Sequence, residues 1–233
     1  MKIRYQLCSI FFCLLQGFSN GQTITKHTID FTPLFGKLSL VLNEDYYFLN
    51  NGDSIQFNSL KFYISGIELL NGDLPVWKED NSFHLIDASD EKSFSVLLKR
   101  PLNITFNKIK FNLGIDSITN SSGAMGGDLD PTKGMYWTWQ NGYINFKLEG
   151  KSNQCKTRKN EFEFHLGGYQ YPNNTLQTIL LVIPFNEKTK IYLNIETLIS
   201  KIDLNNVNHI MSPGKEAVLI SKNVADIFSV IAP

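Results

Sequence analysis

Apolar and polar residues alternate along much of this chain. Leu38, Leu40 and Leu42 fall on one face of an extended segment. So do Ile109, Phe111 and Leu113, and again Phe162, Phe164 and Leu166. A period of two predicts half-buried strands. Asn51-Gly52-Asp53 separates two apolar runs and predicts a turn. Ile104 and Phe106 run out of phase with Ile109 and Phe111, and a bulge near Asn107-Lys108 would restore the phase. Thr178 to Phe185 and Lys190 to Ile195 also read as strands.

Asn141-Gly142 predicts a hairpin with a two-residue turn. In that register Gln140 faces Tyr143, and the pairs Trp139–Ile144, Trp137–Phe146 and Met135–Leu148 share one apolar face. Thr138–Asn145 and Tyr136–Lys147 occupy the other. Only the end of the chain looks helical. Ser212-Pro213 supplies a cap and a first-turn proline, and Ile220, Val224, Ile227 and Ile231 recur at helical spacing. The expected fold is all-β: one antiparallel β-sandwich over residues 22–233 with a short C-terminal helix. Residues 115–134, rich in Gly, Asp, Ser and Pro, form a long loop on that scaffold.

Residues 1–21 read as a secretory signal peptide. Lys2 and Arg4 precede the apolar stretch Leu7 to Phe18, and Ser19-Asn20-Gly21 places small residues at the cleavage site. The stretch is short for a membrane span and is interrupted by Gln16. The protein is therefore expected to be exported, to the periplasm or the cell exterior, with no membrane span once the signal is removed. The 22 basic and 22 acidic residues of the full chain become 20 and 22 in the mature one. That balance gives no general attraction for nucleic acid. Cys8 and Cys13 leave with the signal, so Cys155 remains alone and no internal disulfide forms. Near Lys151, Lys156 and Arg158 its thiol could ionise early, but an ordinary thiol in a polar loop is the simpler reading.

The chain carries no phosphate-cradling glycine loop, no G-x-S-x-G elbow, no H-E-x-x-H helix and no zinc-ribbon cysteines. With no assignable pair of nucleophile and base, it is not expected to be an enzyme. Asp116, Asp128 and Asp130 are too irregular for an EF-hand and read as a solvated acidic loop. Four histidines follow the signal. His27 lies near the mature N-terminus and is expected at the surface. His84 points away from Phe83 and Leu85, and His165 points away from Phe164 and Leu166, alongside Glu163. His209 precedes Met211 in the turn before the last helix. Imidazole with thioether suits copper better than magnesium or calcium. From spacing alone, however, the histidines read as hydrogen-bonded structural residues. Trp137 and Trp139, two apart, share a strand face and read as core packing.

Gly134-Met135-Tyr136-Trp137-Thr138-Trp139-Gln140-Asn141-Gly142-Tyr143, leading into Lys147-Leu148-Glu149-Gly150, resembles the signature of the MbnP-like copper-binding family. Four more segments agree in order: Leu60 to Ser65, Phe83 to Asp87, Phe111 to Asp116 and Phe164 to Gly168. The resemblance spans roughly residues 30–230. It implies an exported β-sandwich protein that binds one copper ion through histidines and a kynurenine. The kynurenine is made from a tryptophan by a partner dihaem enzyme of the haem-peroxidase family, MbnH. Carried over to this chain, the candidate metal ligands are His84, His165 and His209. The tryptophans that could be modified are Trp137 and Trp139. Asp87, Glu163 and Met211 are candidates to support the ligands. The implied role is copper acquisition, storage or delivery. The alternative is a metal-free secreted module that recognises a glycan or protein through surface aromatics. Convergence of a candidate histidine with Trp137 or Trp139 separates the two.

Overall fold

The computed structural model describes residues 23–44, 46–184, 186 and 188–231. The segment expected to be a signal peptide, residues 1–21 with Cys8 and Cys13, lies outside the described residues. The first strands are β1 (Ile24–Phe35), β2 (Leu38–Ser39), β3 (Tyr47–Phe48), β4 (Ser54–Asn71) and β5 (Leu74–Lys78). Next come β6 (Phe83–Asp87), β7 (Ser95–Pro101), β8 (Lys108–Leu113), β9 (Tyr136–Trp137) and β10 (Gly142–Ser152). The last are β11 (Glu161–Gly167), β12 (Gln177–Val182), β13 (Lys188–Asn194), β14 (His209–Ile210) and β15 (Phe228–Ser229). Helices α1 (Ser117–Ser121), α2 (Ile195–Ile199) and α3 (Lys215–Ala225) are short.

Among the described residues these strands form two sheets. The smaller runs β15-β13-β1-β2, with β7 also on β1. The larger runs β12-β8-β4-β10-β11-β14, with β3, β5 and β6 also on β4 and β9 on β10. Most pairs are antiparallel, but β1–β13 and β11–β14 are parallel, so the sheets are mixed. Each sheet turns one apolar face inward. Phe31 of β1 meets Phe62 and Phe111 of the larger sheet edge-on, with ring centroids 6.2 and 5.8 Å apart. Ile109, Phe111, Leu113, Phe162, Phe164 and Leu166 are buried in this core, as their alternation predicts. None of the three helices is long and apolar enough to cross a membrane.

A second, smaller core lies on the outer face of the larger sheet. Tyr63, Leu85, Ile115, Leu129, Met135, Trp137, Tyr143 and Ile144 cluster there. The long loop supplies its cover and is pinned down by hydrogen bonds. Tyr143 Oη donates to the Leu129 carbonyl and accepts from the Met125 amide, and Tyr63 Oη donates to the Asp128 carbonyl. The three loop aspartates are all engaged, two of them as local caps. Asp116 accepts from the Thr119 amide and Asp130 from the Thr132 amide, while Asp128 accepts from the Leu85 amide and binds Lys133. Asp116 and Asp130 are thus occupied within the loop, and Asp128 ties the loop to β6.

Several local expectations need correction. No bulge joins Ile104 to Ile109: β7 ends at Pro101 in one sheet and β8 starts at Lys108 in the other, so the lost phase marks a crossover between sheets. Leu38 is exposed and β2 stops at Ser39. Helix α3 begins at Lys215 after a Gly214 cap, buries Ile220 and Val224, and ends before Ile227, while Ile231 is exposed. Cys155 sits in the main core rather than a polar loop. Burial raises its thiol pKa to about 11, which makes it inert at neutral pH. His27, expected at the surface, is wholly buried, because it shares the inward positions of β1 with Ile29 and Phe31.

Candidate metal centre

The outer face of the larger sheet carries a row of polar side chains beside the second core. Register aligns His165 of β11 with Lys147 of β10, Lys147 with Lys61 of β4, and Lys61 with Asp87 of β6. One step along, Glu163 faces Glu149, and His209 of β14 faces Glu163. Strand alternation gives His165 and Glu163 one face, opposite Phe164 and Leu166. His165 therefore points outward because its neighbours are needed in the core.

The His165 side chain is nearly buried, and its Nε2 lies 2.6 Å from Glu149 Oε1. The same carboxylate oxygen takes Lys147 Nζ at 3.0 Å. The hydrogen bond from His165 is the main cause that lowers the Glu149 pKa, to about 2; burial opposes it and Lys147 assists. Glu149 is thus fully ionised at neutral pH. His209 is more open. Its Nδ1 lies 3.1 Å from Glu163 Oε2, on the strand next to His165. The segment continues alongside β11, since a Cβ on Gly168 would stand 3.0 Å from the Pro213 ring. Met211 lies between these two contacts in sequence.

The tryptophans separate. The hairpin forms, but its turn spans Thr138 to Asn141, and β9 pairs Trp137 with Gly142 and Tyr136 with Tyr143. The predicted pairs of Trp137 with Phe146 and Met135 with Leu148 are replaced; the Ile144 amide bonds the Met135 carbonyl instead. Trp139 leaves the strand and is 65 % exposed, whereas Trp137 is 6 % exposed. The two rings still touch, with centroids 5.6 Å apart. A register shift between Ile144 and Phe146 lets Ile144 serve the outer cluster and Phe146 the main core.

Gly167 decides where the Trp137 ring rests. A Cβ on Gly167 would lie 2.6 Å from Trp137 Cζ3. The indole therefore sits directly against the backbone of Gly167, two residues after His165 on the same strand. Glu149 and Gly167 both lie in segments that carry the family resemblance, but nothing in the sequence assigned either a role at the site. Glu149 lies 16 residues before His165, and only the β10–β11 register brings them together.

His84 belongs elsewhere. It pairs with Ile64, whose side chain is in the main core, while its neighbours Phe83 and Leu85 pack at the outer cluster. Its Nε2 binds Glu79 Oε2 at 2.7 Å. Strands β4 and β10 stand between β6 and β11, so His84 and His165 are separated by roughly 14 Å of sheet. Asp87 binds Lys61 at 2.8 Å, in the row of His165 but three strands away. His27 is held in the smaller sheet by Thr189, with Nε2 at 3.1 Å from its Oγ1.

Among the described residues no three His, Cys, Asp or Glu side chains form a metal-holding group. His165 and His209, about 8 Å apart by strand spacing, offer two imidazoles, with Met211 and the Trp137 ring along the same edge. Nitrogen and sulfur donors in a small set fit copper.

The family model MbnP matches residues 24–212. MbnP from Methylosinus trichosporium has a similar fold, with a TM-score of 0.61 over 82 % of this chain and 83 % of that one, at 13 % identity. No curated protein matches the chain.

Proposed function

This chain belongs to the MbnP family, and we propose that it is an exported copper-binding protein, without catalytic turnover, that serves copper acquisition, storage or delivery. The observation that carries this reading is the seating of the Trp137 ring on Gly167, two residues after His165 on the same strand. Trp137 packs against the strand that carries His165, and His209 lies on the next strand, which supports the reading.

In this reading His165 and His209 hold the metal. Trp137 is the tryptophan converted to kynurenine by a dihaem partner enzyme of the MbnH kind. Opening the indole ring yields a ketone and an aryl amine, which can bind or hydrogen-bond near a metal where indole cannot. The bound copper would contribute a Lewis-acidic, redox-active centre. The chain itself supplies orientation and shelter. Glu149 and Lys147 hold the His165 ring in place. The Gly134–Tyr143 cover keeps Trp137 out of solvent, and Trp139 shields its outer side. His84 lies outside this site.

The test is peptide-resolved mass analysis and metal content of protein made in its native host. Kynurenine at Trp137 with near-stoichiometric copper is the expected result. Unmodified Trp137 without copper, in cells that express the partner oxidase, would overturn it. That result would favour the metal-free module. Its support is the exposed Tyr171 in a hollow also lined by Gln140, Gln170 and Asn173, uncharged groups suited to a glycan, with exposed Trp139 next to Gln140 in the chain.

A further inference from the structure

We infer that Glu149 is the positioning residue of the copper site, which fixes the His165 imidazole so that Nδ1 is the nitrogen offered to the metal. This rests on the copper reading above and adds to it the ligating atom and the group that selects it.

The argument is one of donors and acceptors. An ionised carboxylate only accepts hydrogen bonds, so the ring nitrogen that faces it must carry the proton. Glu149 Oε1 faces Nε2 at 2.6 Å. A neutral imidazole has one N–H, so the lone pair is then on Nδ1. A metal binds the lone pair, not the N–H. No other hydrogen bond reaches the His165 ring among the described residues, so nothing competes for Nδ1. The carboxylate cannot swing away freely. Lys147 Nζ holds the same oxygen at 3.0 Å, and Lys147 is itself the cross-strand partner of His165. The three side chains lock one another on two adjacent strands. A carboxylate that orients a metal-bound histidine from behind is a recurrent device, and its removal costs metal affinity.

His209 presents the opposite case. Its Nδ1 faces Glu163, which leaves Nε2 as the free nitrogen. Both groups of that pair are largely exposed, so the contact holds the ring weakly. The site would therefore combine Nδ1 of a fixed histidine with Nε2 of a mobile one.

The experiment uses the full chain, labelled with nitrogen-15 and produced together with the partner oxidase. Two-bond proton–nitrogen spectra of the metal-free protein at mildly alkaline pH read the tautomer of His165 directly. Anaerobic Cu(I) titration against a competing chelator then reads affinity, and the diamagnetic ion leaves the spectra sharp. The expected wild-type ring is the Nε2–H tautomer, with Nδ1 moving on Cu(I) addition. Glu149→Ala should mix the tautomers and weaken Cu(I) binding by about 10–100-fold. Glu149→Gln, whose carboxamide oxygen accepts the same bond, should keep the tautomer and lose less affinity. An Nδ1–H tautomer in the wild type overturns the inference, and this arm needs no variant to fold. So does an Ala variant with unchanged tautomer and unchanged affinity. The expected tautomer without Cu(I) uptake sinks the copper reading and the ligand role of Nδ1 together. The tautomer signal tells that failure apart from a failure of the Glu149 contact.

Discussion

A fully buried imidazole is a poor place for a proton. His27 is such a residue: its ring is wholly buried, and Nε2 meets Thr189. Burial is the main cause that lowers its pKa. The backbone of Asn186 opposes it in part, and the charge of Arg100 adds to it. The unfolded chain therefore binds a proton near pH 6.5, while the folded chain resists it to lower pH. The unfolded state gains protons first, so stability is complete above 6.5 and falls as pH drops through that value. His27→Gln keeps a partner for Thr189 but does not titrate. In denaturant unfolding at a series of pH values, the wild type should lose more stability than H27Q below pH 6.5, and parallel curves would refute the idea. The burial of His27 was readable in principle, since it alternates with Ile29 and Phe31. Position near the expected mature N-terminus is the weaker guide to exposure. The outward direction of His165 followed from the same alternation, and the structure agrees. Its partner Glu149 did not follow, because a contact across strands depends on a register that single residues do not encode.

At the scale of elements, the hairpin between β9 and β10 shows where turn chemistry is legible and where it is not. Asn141 does adopt a positive φ of 51°. A two-residue turn of the expected kind needs positive φ at both central positions, and Gly142 lies instead in β10. The turn widens to four residues, the register moves, and Trp139 is carried out of the strand. The alternation of β8 and β11 was legible because a buried face enforces it. The crossover after β7 was not, because a change of sheet leaves only a break in phase. Gly167 is the element-scale residue with a direct consequence. Gly167→Ala would put a methyl 2.6 Å from Trp137 Cζ3 and 2.7 Å from the Tyr143 carbonyl. The carbonyl belongs to a paired strand, so the indole must move. The expected cost is about 1–3 kcal/mol in urea unfolding, as for other overpacked sites. Trp emission should change with it. A variant with native stability and native emission would show that the ring does not rest on Gly167.

For the whole molecule, the unequal size of the two cores decides where it opens first. The main core runs the length of both sheets, whereas the outer one is a small cluster held under a single long loop. Local opening is easiest where few apolar contacts resist it. Residues 115–141 should therefore exchange their amide hydrogens by lifting off the sheet, without global unfolding. The proposed ligands lie on both sides of that opening. His165 belongs to the sheet, His209 to its edge strand, and Trp137 to the cover. A metal that needs all three binds only the closed form, and so stabilises it by mass action. With Cu(I) at 100 times its Kd the gain is about 2.7 kcal/mol, or about 100-fold slower exchange through that opening. The slowing should appear in residues 115–141, whose amides that opening releases. Strands β1 and β7, on the far sheet, should exchange as before, since their opening does not break the site. Hydrogen-exchange mass spectrometry with and without Cu(I) resolves the two regions. A uniform effect, or none, would mean that the metal does not link the cover to the sheet, and the site would have to be sought on one element alone.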